Sequence, residues 1–335
     1  MAKTTKLILS TGYTSLSVAH LQSPAQQLTS PRNIVSDGPS IVRRSCSPRA
    51  KNNPELISSL RSSFHSAQQE YAASLLRDTP SATPNGSSSS LPAAITSSNR
   101  PPTSAWTSEQ DNVLYIPRID PPTGLSEPPQ HYNLTAKIFF LPNTPVQSRM
   151  SYAREALSLV LQELFPAQSV DLLVVSFPGL SFTADCEWEA DRLNALQGND
   201  AEELATWPAV EELHRSGLAR ELGVAEFGSE KLARFLEKVT VRPKVNQVNL
   251  RNCCNVPPPL AKLAKEQGIE LLVHGDATEV VTRETLEEVL GDAGVIGEKE
   301  EVWPLWVVKY TAVVRDRGVI ENKGYFVGAE LVRRE

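Results

Sequence analysis

Val170-Asp171-Leu172-Leu173-Val174-Val175, residues 170–175, is an apolar run interrupted only by Asp171. A short run with so little polar content reads as a β-strand covered on both faces, which is the mark of a parallel sheet in an α/β domain. Outward from it, strand-like and helix-like patterns alternate. Upstream, Met150, Ala153, Leu157, Val160, Leu161 and Leu164 repeat at helical spacing, and Lys137–Leu141 before them is a β-rich run. Downstream, the pattern predicts a helix around Trp207–Ser216 with Gly217 placed to end it, a strand at Ala219–Ala225 and a helix at Glu230–Leu236. A strand at Val245–Leu250, a helix at Leu260–Gln267 stopped by Gly268, a strand at Ile269–His274 and a helix near Thr285–Leu290 follow. The last expected helix opens at Trp303-Pro304 and runs to Arg317, with Gly318 beyond it. With weaker strands at Leu7–Ser10, Val113–Ile116 and Val319-Ile320 the count reaches about eight βα units, which close into a barrel. The alternative is an open doubly wound sheet; the GxGxxG turn that often marks one is absent from the sequence.

The first third is less regular. Residues 22–52 and 79–104 are rich in Ser, Pro, Asn and Thr, a composition that buries too little apolar surface to offset ordering entropy, so both read as low-complexity inserts. Between them, Asn53 is a helix cap, Pro54 suits the first turn, and Leu56, Leu60, Phe64, Ala67, Tyr71 and Leu75 make one apolar stripe. Residues 1–21 and 53–78 are thus expected to supply N-terminal barrel elements, and 105–335 the main body of the same barrel.

The chain has 335 residues, 40% of them apolar, and a formal net charge of −6, which argues against an electrostatic hold on nucleic acid or anionic membrane. No stretch approaches the ~20 apolar residues of a membrane-spanning helix, and Met1 to Ser10 lacks a signal-peptide core. The four cysteines, Cys46, Cys186, Cys253 and Cys254, show no CxxC spacing, so neither a zinc site nor a disulfide framework is expected, and the natural setting is a reducing cytosol.

Two segments resemble barrel strands of the aldo-keto reductases. Asp171-Leu172-Leu173-Val174-Val175-Ser176-Phe177-Pro178 is similar to that family's "DLYLIHWP" strand, and Gly217–Phe227 to its "GKIRAIGVSNF" strand. Arg242-Pro243-Lys244-Val245-Asn246-Gln247-Val248 then resembles "KPAVNQIE". The resemblance implies a (β/α)8 barrel of the aldo-keto reductase kind, yet the family's proton-relay residues are missing. Ser176 stands where the family has a His, and Ala225-Glu226 replace the Ser-Asn pair that grips the nicotinamide carboxamide. The family's Lys falls roughly on Pro142, and Asp111 and Tyr115 stand in the wrong context for its Asp-to-Tyr motif.

Three further segments, in order, resemble the regulatory subunits of glutamate–cysteine ligase: Asn246–Cys254 followed by Pro257-Pro258, Glu270–Asp276, and Trp303-Pro304-Leu305-Trp306 with Arg315, Arg317-Gly318 and Lys323-Gly324-Tyr325. This resemblance implies a non-catalytic chain that binds the glutamate–cysteine ligase catalytic subunit as a heterodimer. It would tune the partner's substrate use and its feedback inhibition by glutathione. The competing expectation, from another class, is an active NADPH-dependent reductase whose proton relay hides in the divergent first third.

Site expectations follow from these resemblances. Gln247 and Lys323 are candidates for a vestigial NADP(H) pocket. Cys253 and Cys254, after a barrel strand, are candidates for an intersubunit disulfide or a redox sensor, against the reading of buried small hydrophobes. His274 ends a strand at the same face and reads either as an interface residue or as a hydrogen-bonded packing residue. Trp303, Trp306, Tyr310 and Val313 are expected on one helix. No metal site is expected, since the acidic pairs Glu202-Glu203 and Glu211-Glu212 lack ligand-type neighbours and read as solvated faces.

Overall fold

The computed structural model describes residues 3–12, 53–78, 100–119, 124–182, 184, 186–250, 255–297 and 299–333. Cys253, Cys254 and most of both low-complexity segments lie outside these residues.

The centre of the fold alternates as the apolar pattern demands. β4 (Tyr132–Phe140), α2 (Arg149–Glu163), β5 (Val170–Ser176), α3 (Glu187–Asn194), α4 (Asp200–Arg215), β6 (Ala219–Ala225), α5 (Ser229–Leu236), β7 (Val245–Asn249), α6 (Pro258–Gln267), β8 (Glu270–His274) and α7 (Arg283–Asp292) follow in order. Strands β4 through β8 pair as parallel neighbours, because each intervening helix returns the chain to the same end of the sheet. This α/β half matches the expected class, with β5 on the run that opens the sequence reading.

The C-terminal part differs. The expected helix from Trp303 is instead β9 (Glu300–Val314), which forms a long antiparallel hairpin with β10 (Val319–Arg333) and pairs antiparallel with β4. The physical reason lies in Val307, Val308, Thr311, Val313 and Val314: β-branched side chains lose rotamer freedom in a helix and pack well on a pleated surface. Pro304 is tolerated because the β4 ladder reaches only as far as Trp306, opposite Phe140. β10 takes β1 (Lys3–Ser10) on its free edge, and β1 takes β3 (Val113–Ile116), which pairs with β2 (Ser108–Gln110). The result is a ten-stranded mixed sheet in the order β2-β3-β1-β10-β9-β4-β5-β6-β7-β8. The eightfold βα repeat is thus replaced at the C-terminus by a hairpin, and among the described residues no ladder joins β8 to β2.

Two cores hold the sheet. On one face Leu134, Ala136, Ile138 and Phe140 of β4 and Val308, Tyr310 and Ala312 of β9 pack against α2, α4, α5 and α6. On the other, Phe139, Val307, Tyr325 and Val327 pack against α7 and against α1 (Pro54–Asp78) through Leu56, Leu60 and Phe64. Burying each of the larger apolar side chains here, such as Leu134, Ile138, Phe140 or Leu60, contributes roughly 1.5–3 kcal/mol. The α1 cap forms as expected: Asn53 Oδ1 accepts from the backbone N–H of Glu55 at 3.1 Å and of Leu56 at 3.4 Å.

Candidate functional site

A strand that alternates apolar residues between two cores has no place for a lone cation, yet Lys137 on β4 and Lys309 on β9 both point to the α1–α7 face. They are direct cross-strand neighbours, and Tyr325 of β10 lies next in the same row. The charge is met by Asp276, two residues beyond β8. Its Oδ2 lies 2.9 Å from Lys137 Nζ and its Oδ1 2.9 Å from Lys309 Nζ. The Asp276 backbone carbonyl accepts from Asn249 Nδ2 at 2.8 Å, which fixes the loop to the end of β7.

The network continues on both sides. His274 Nδ1 is 3.3 Å from Asp276 Oδ2, and His274 Nε2 is 2.5 Å from Glu226 Oε1. Glu226 follows β6 in a left-handed conformation, φ 63°, which for a side-chain-bearing residue costs about 1–3 kcal/mol. Its backbone is held there by its N–H donating to the Gln247 carbonyl at 2.7 Å and by Asn194 Nδ2 donating to its own carbonyl at 2.8 Å. Glu226 Oε2 is buried without a hydrogen-bond partner. On the other side, Tyr325 Oη donates to Glu55 Oε2 at 2.9 Å and accepts from Asn53 Nδ2 at 3.3 Å, and Lys323 Nζ lies 2.7 Å from Glu55 Oε1.

Burial and charge act together on these groups. Burial opposes ionisation of Asp276, but His274, Lys137 and Lys309 outweigh it and hold the carboxyl well below its ordinary range. Burial also opposes the charge on His274, and the Asp276 and Glu226 carboxylates outweigh it, so its pKa is raised. For Lys137 burial wins and its pKa is lowered. Tyr325 is pushed far up, first by burial and then by the Glu55 carboxylate.

This set contains a tyrosine, lysines, a histidine and an aspartate, the residue types of a carbonyl-reducing proton relay, in an arrangement unsuited to one. The Tyr325 hydroxyl is spent on Glu55, and both lysine ammonium groups are spent on Asp276. The tyrosine is 3% exposed, and its phenol is made a weaker acid rather than a stronger one.

Of the expected site residues, His274 lies at the centre of this network, Lys323 joins its Glu55 end and Gln247 meets it through its backbone carbonyl, while Cys253 and Cys254 lie outside the described residues. Gln247 and Lys323 are not brought together: β9, β4, β5 and β6 stand between their strands, and Lys323 is committed to Glu55. With the Glu226 carboxylate on His274 and the Lys323 ammonium on a carboxylate, the residues present do not fit a nicotinamide dinucleotide in the expected manner. Trp303 and Trp306 lie on a strand: Trp306 is fully buried, and Trp303 stacks under the Arg283 guanidinium, 4.2 Å from its centroid. The acidic pairs also differ from a solvated face, since Glu203 and Glu211 are buried. Sequence reading missed Lys137, Lys309 and Asp276 as a unit. The available signal was a single lysine inside each of two apolar strands, which demands a buried counter-charge.

A second feature lies at the C-terminal ends of β4 and β5. A cleft of about 330 Å³ is lined by Pro142, Phe177, Pro178, Gly179, Gly198 and Asn199, together with Arg149, Glu202 and Glu203. Arg149 is 2% exposed and pairs with Glu202 at 2.8 Å, while Lys231 beneath bonds Asp200 at 2.6 Å and Glu203 at 2.9 Å.

Comparison with known proteins adds to this geometry. Residues 125–276 match the model of the aldo/keto reductase family. A glutamate–cysteine ligase regulatory subunit of Rattus norvegicus is 34% identical over 124 residues, 37% of this chain and 45% of that protein. A putative glutamate–cysteine ligase regulatory subunit of Schizosaccharomyces pombe is 29% identical over 224 residues, 64% of this chain and 77% of that protein. The match thus spans less than half the length of the mammalian relative. Among solved structures, an aldo-keto reductase of Bombyx mori in complex with NADP is 22% identical, covering 41% of this chain and 40% of that one with a TM-score of 0.29.

Proposed function

We propose, from the premise that this chain carries an aldo/keto reductase domain over residues 125–276 and is a homologue of glutamate–cysteine ligase regulatory subunits, that it is a non-catalytic regulatory subunit of that ligase. It binds the ligase's catalytic chain as a heterodimer, improves its substrate use and relieves its feedback inhibition by glutathione. The reading is supported most by the Tyr325–Glu55 bond together with the pairing of both lysines to Asp276. Among the described residues the comparable proton-transfer set is held in internal hydrogen bonds and ion pairs, so none of its members is free to protonate a substrate oxygen. The chain's effect is then a coupling free energy: a contact surface that favours one state of the partner.

The test is to add the purified chain to a glutamate–cysteine ligase catalytic subunit and follow γ-glutamylcysteine formation against rising glutathione. The reading expects weaker glutathione inhibition in its presence. Unchanged inhibition and no association would reject it, and carbonyl-dependent NADPH oxidation by the chain alone would favour a reductase instead.

A further inference from the structure

His274 Nδ1 has two partners that it cannot hold with the same proton count. The Asp276 backbone N–H points at it from 3.2 Å, a bond that requires Nδ1 to be bare and to accept. Asp276 Oδ2 lies 3.3 Å from the same nitrogen, a contact that attracts only when Nδ1 carries a proton and donates. The other ring nitrogen offers no such choice. Nε2 lies 2.5 Å from Glu226 Oε1, where a bare nitrogen would be repelled, so it carries hydrogen in both states even though the contact is out of line for a directed bond.

The choice at Nδ1 bears on more than the ring. Asp276 Oδ2 is also the atom that holds Lys137 Nζ at 2.9 Å, while Oδ1 holds Lys309. With Nδ1 bare the charges around the ring balance: Lys137 of β4 and Lys309 of β9 stand against Asp276 after β8 and Glu226 after β6. A proton on Nδ1 makes three cations for two carboxylates and sets the imidazolium against Lys137 for one oxygen. It also leaves the Asp276 N–H without its acceptor, in a loop whose Asp276 carbonyl is anchored to Asn249 Nδ2 at 2.8 Å. The histidine side chain is 12% exposed, so the ring keeps contact with solvent.

We infer that His274 and Asp276 form a proton-operated latch between the parallel half of the sheet and the β9–β10 hairpin. With Nδ1 bare, the ring clamps the Asp276 amide and the carboxylate belongs to the two lysines. With Nδ1 protonated, the ring takes Oδ2, releases the amide and weakens the tie to Lys137. Burial opposes charge on the ring but the two carboxylates outweigh it, so the exchange of partners falls above the ordinary histidine value of 6.5.

The test is nuclear magnetic resonance of the full chain, deuterated and labelled with nitrogen-15, titrated from about pH 5 to about pH 9. The ring nitrogens report which of them carries the proton, and the Asp276 amide reports its own hydrogen bond. Nδ1 should lose its proton as pH rises, and the Asp276 amide proton should shift with the same midpoint. Above that midpoint the amide should be better protected from hydrogen exchange, relative to an open peptide, than below it. Glu226→Gln removes one carboxylate and should lower the midpoint, with the amide still following the ring. The latch is overturned by an Nδ1 that stays bare or stays protonated throughout, or by an Asp276 amide that ignores the ring's titration. An amide that follows the ring in wild type but not in Glu226→Gln overturns it too, since Glu226 would then govern the change in place of Asp276.

Discussion

Lys137 lies directly opposite Lys309 in the β4–β9 ladder, two like charges at a single cross-strand position. Such a pair repels, and the fold tolerates it because Asp276 offers one carboxylate oxygen to each ammonium at 2.9 Å. The aspartate comes from the loop after β8, so one side chain ties the parallel half of the sheet to the antiparallel hairpin.

Asp276→Asn should therefore cost about 3–5 kcal/mol, since it strands two cations of which Lys137 is only 4% exposed. Urea unfolding of the variant and wild type at neutral pH measures this. A loss under about 1 kcal/mol would mean that the lysines find water or other partners.

The pH dependence follows from His274. Its pKa is raised above 6.5 by Asp276 and Glu226 despite burial, so the folded state binds its proton more tightly than the unfolded chain. That stabilisation is complete below the unfolded value and is lost as pH rises through the folded value. Unfolding free energy measured from about pH 6 upward should fall through that window, and His274→Gln should flatten the fall. Asp276 acts in the opposite direction: its contribution is present above its ordinary pKa of 3.8 and is lost as pH falls through the depressed folded value.

Gly328 faces Trp306 across the β9–β10 ladder, and a Cβ at that position would sit 2.2 Å from the indole Cε2. The indole is fully buried and has nowhere to move. Gly328→Ala should cost about 1–3 kcal/mol by overpacking, read as a lowered melting temperature. An unchanged melting temperature would show that the hairpin can open at this pair.

Tyr325→Phe removes the bond to Glu55 and should cost about 1 kcal/mol. Glu55 keeps Lys323 as partner and is half-exposed. On the regulatory reading, carbonyl-dependent NADPH oxidation is absent before and after the substitution. An activity present in wild type and lost in the variant would make Tyr325 a proton donor.

Much of the central fold is legible in local pattern. Val170–Ser176, Ala219–Ala225 and the Gly268-terminated α6 announce themselves through apolar runs and helix stops, and Asn53-Pro54 announces α1. The hairpin is harder to read. Trp303-Pro304 imitates a helix start, and the alternation of Trp306, Val308 and Tyr310 with Val307 and Lys309 looks like a plain apolar run because both faces are buried. The polar network is least legible. It draws Glu55, Lys137, Glu226, His274, Asp276, Lys309 and Tyr325 from across the chain, and no local spacing encodes their meeting. His274 was visible as a strand-end histidine, but its partners depend on which strands β9 and β4 adjoin.

Sedimentation velocity of the purified chain mixed with the glutamate–cysteine ligase catalytic subunit reads association of the two directly. A regulatory subunit that forms a heterodimer gives one faster boundary containing both chains in equal amounts. Two boundaries that sediment as the separate proteins at every ratio would contradict it.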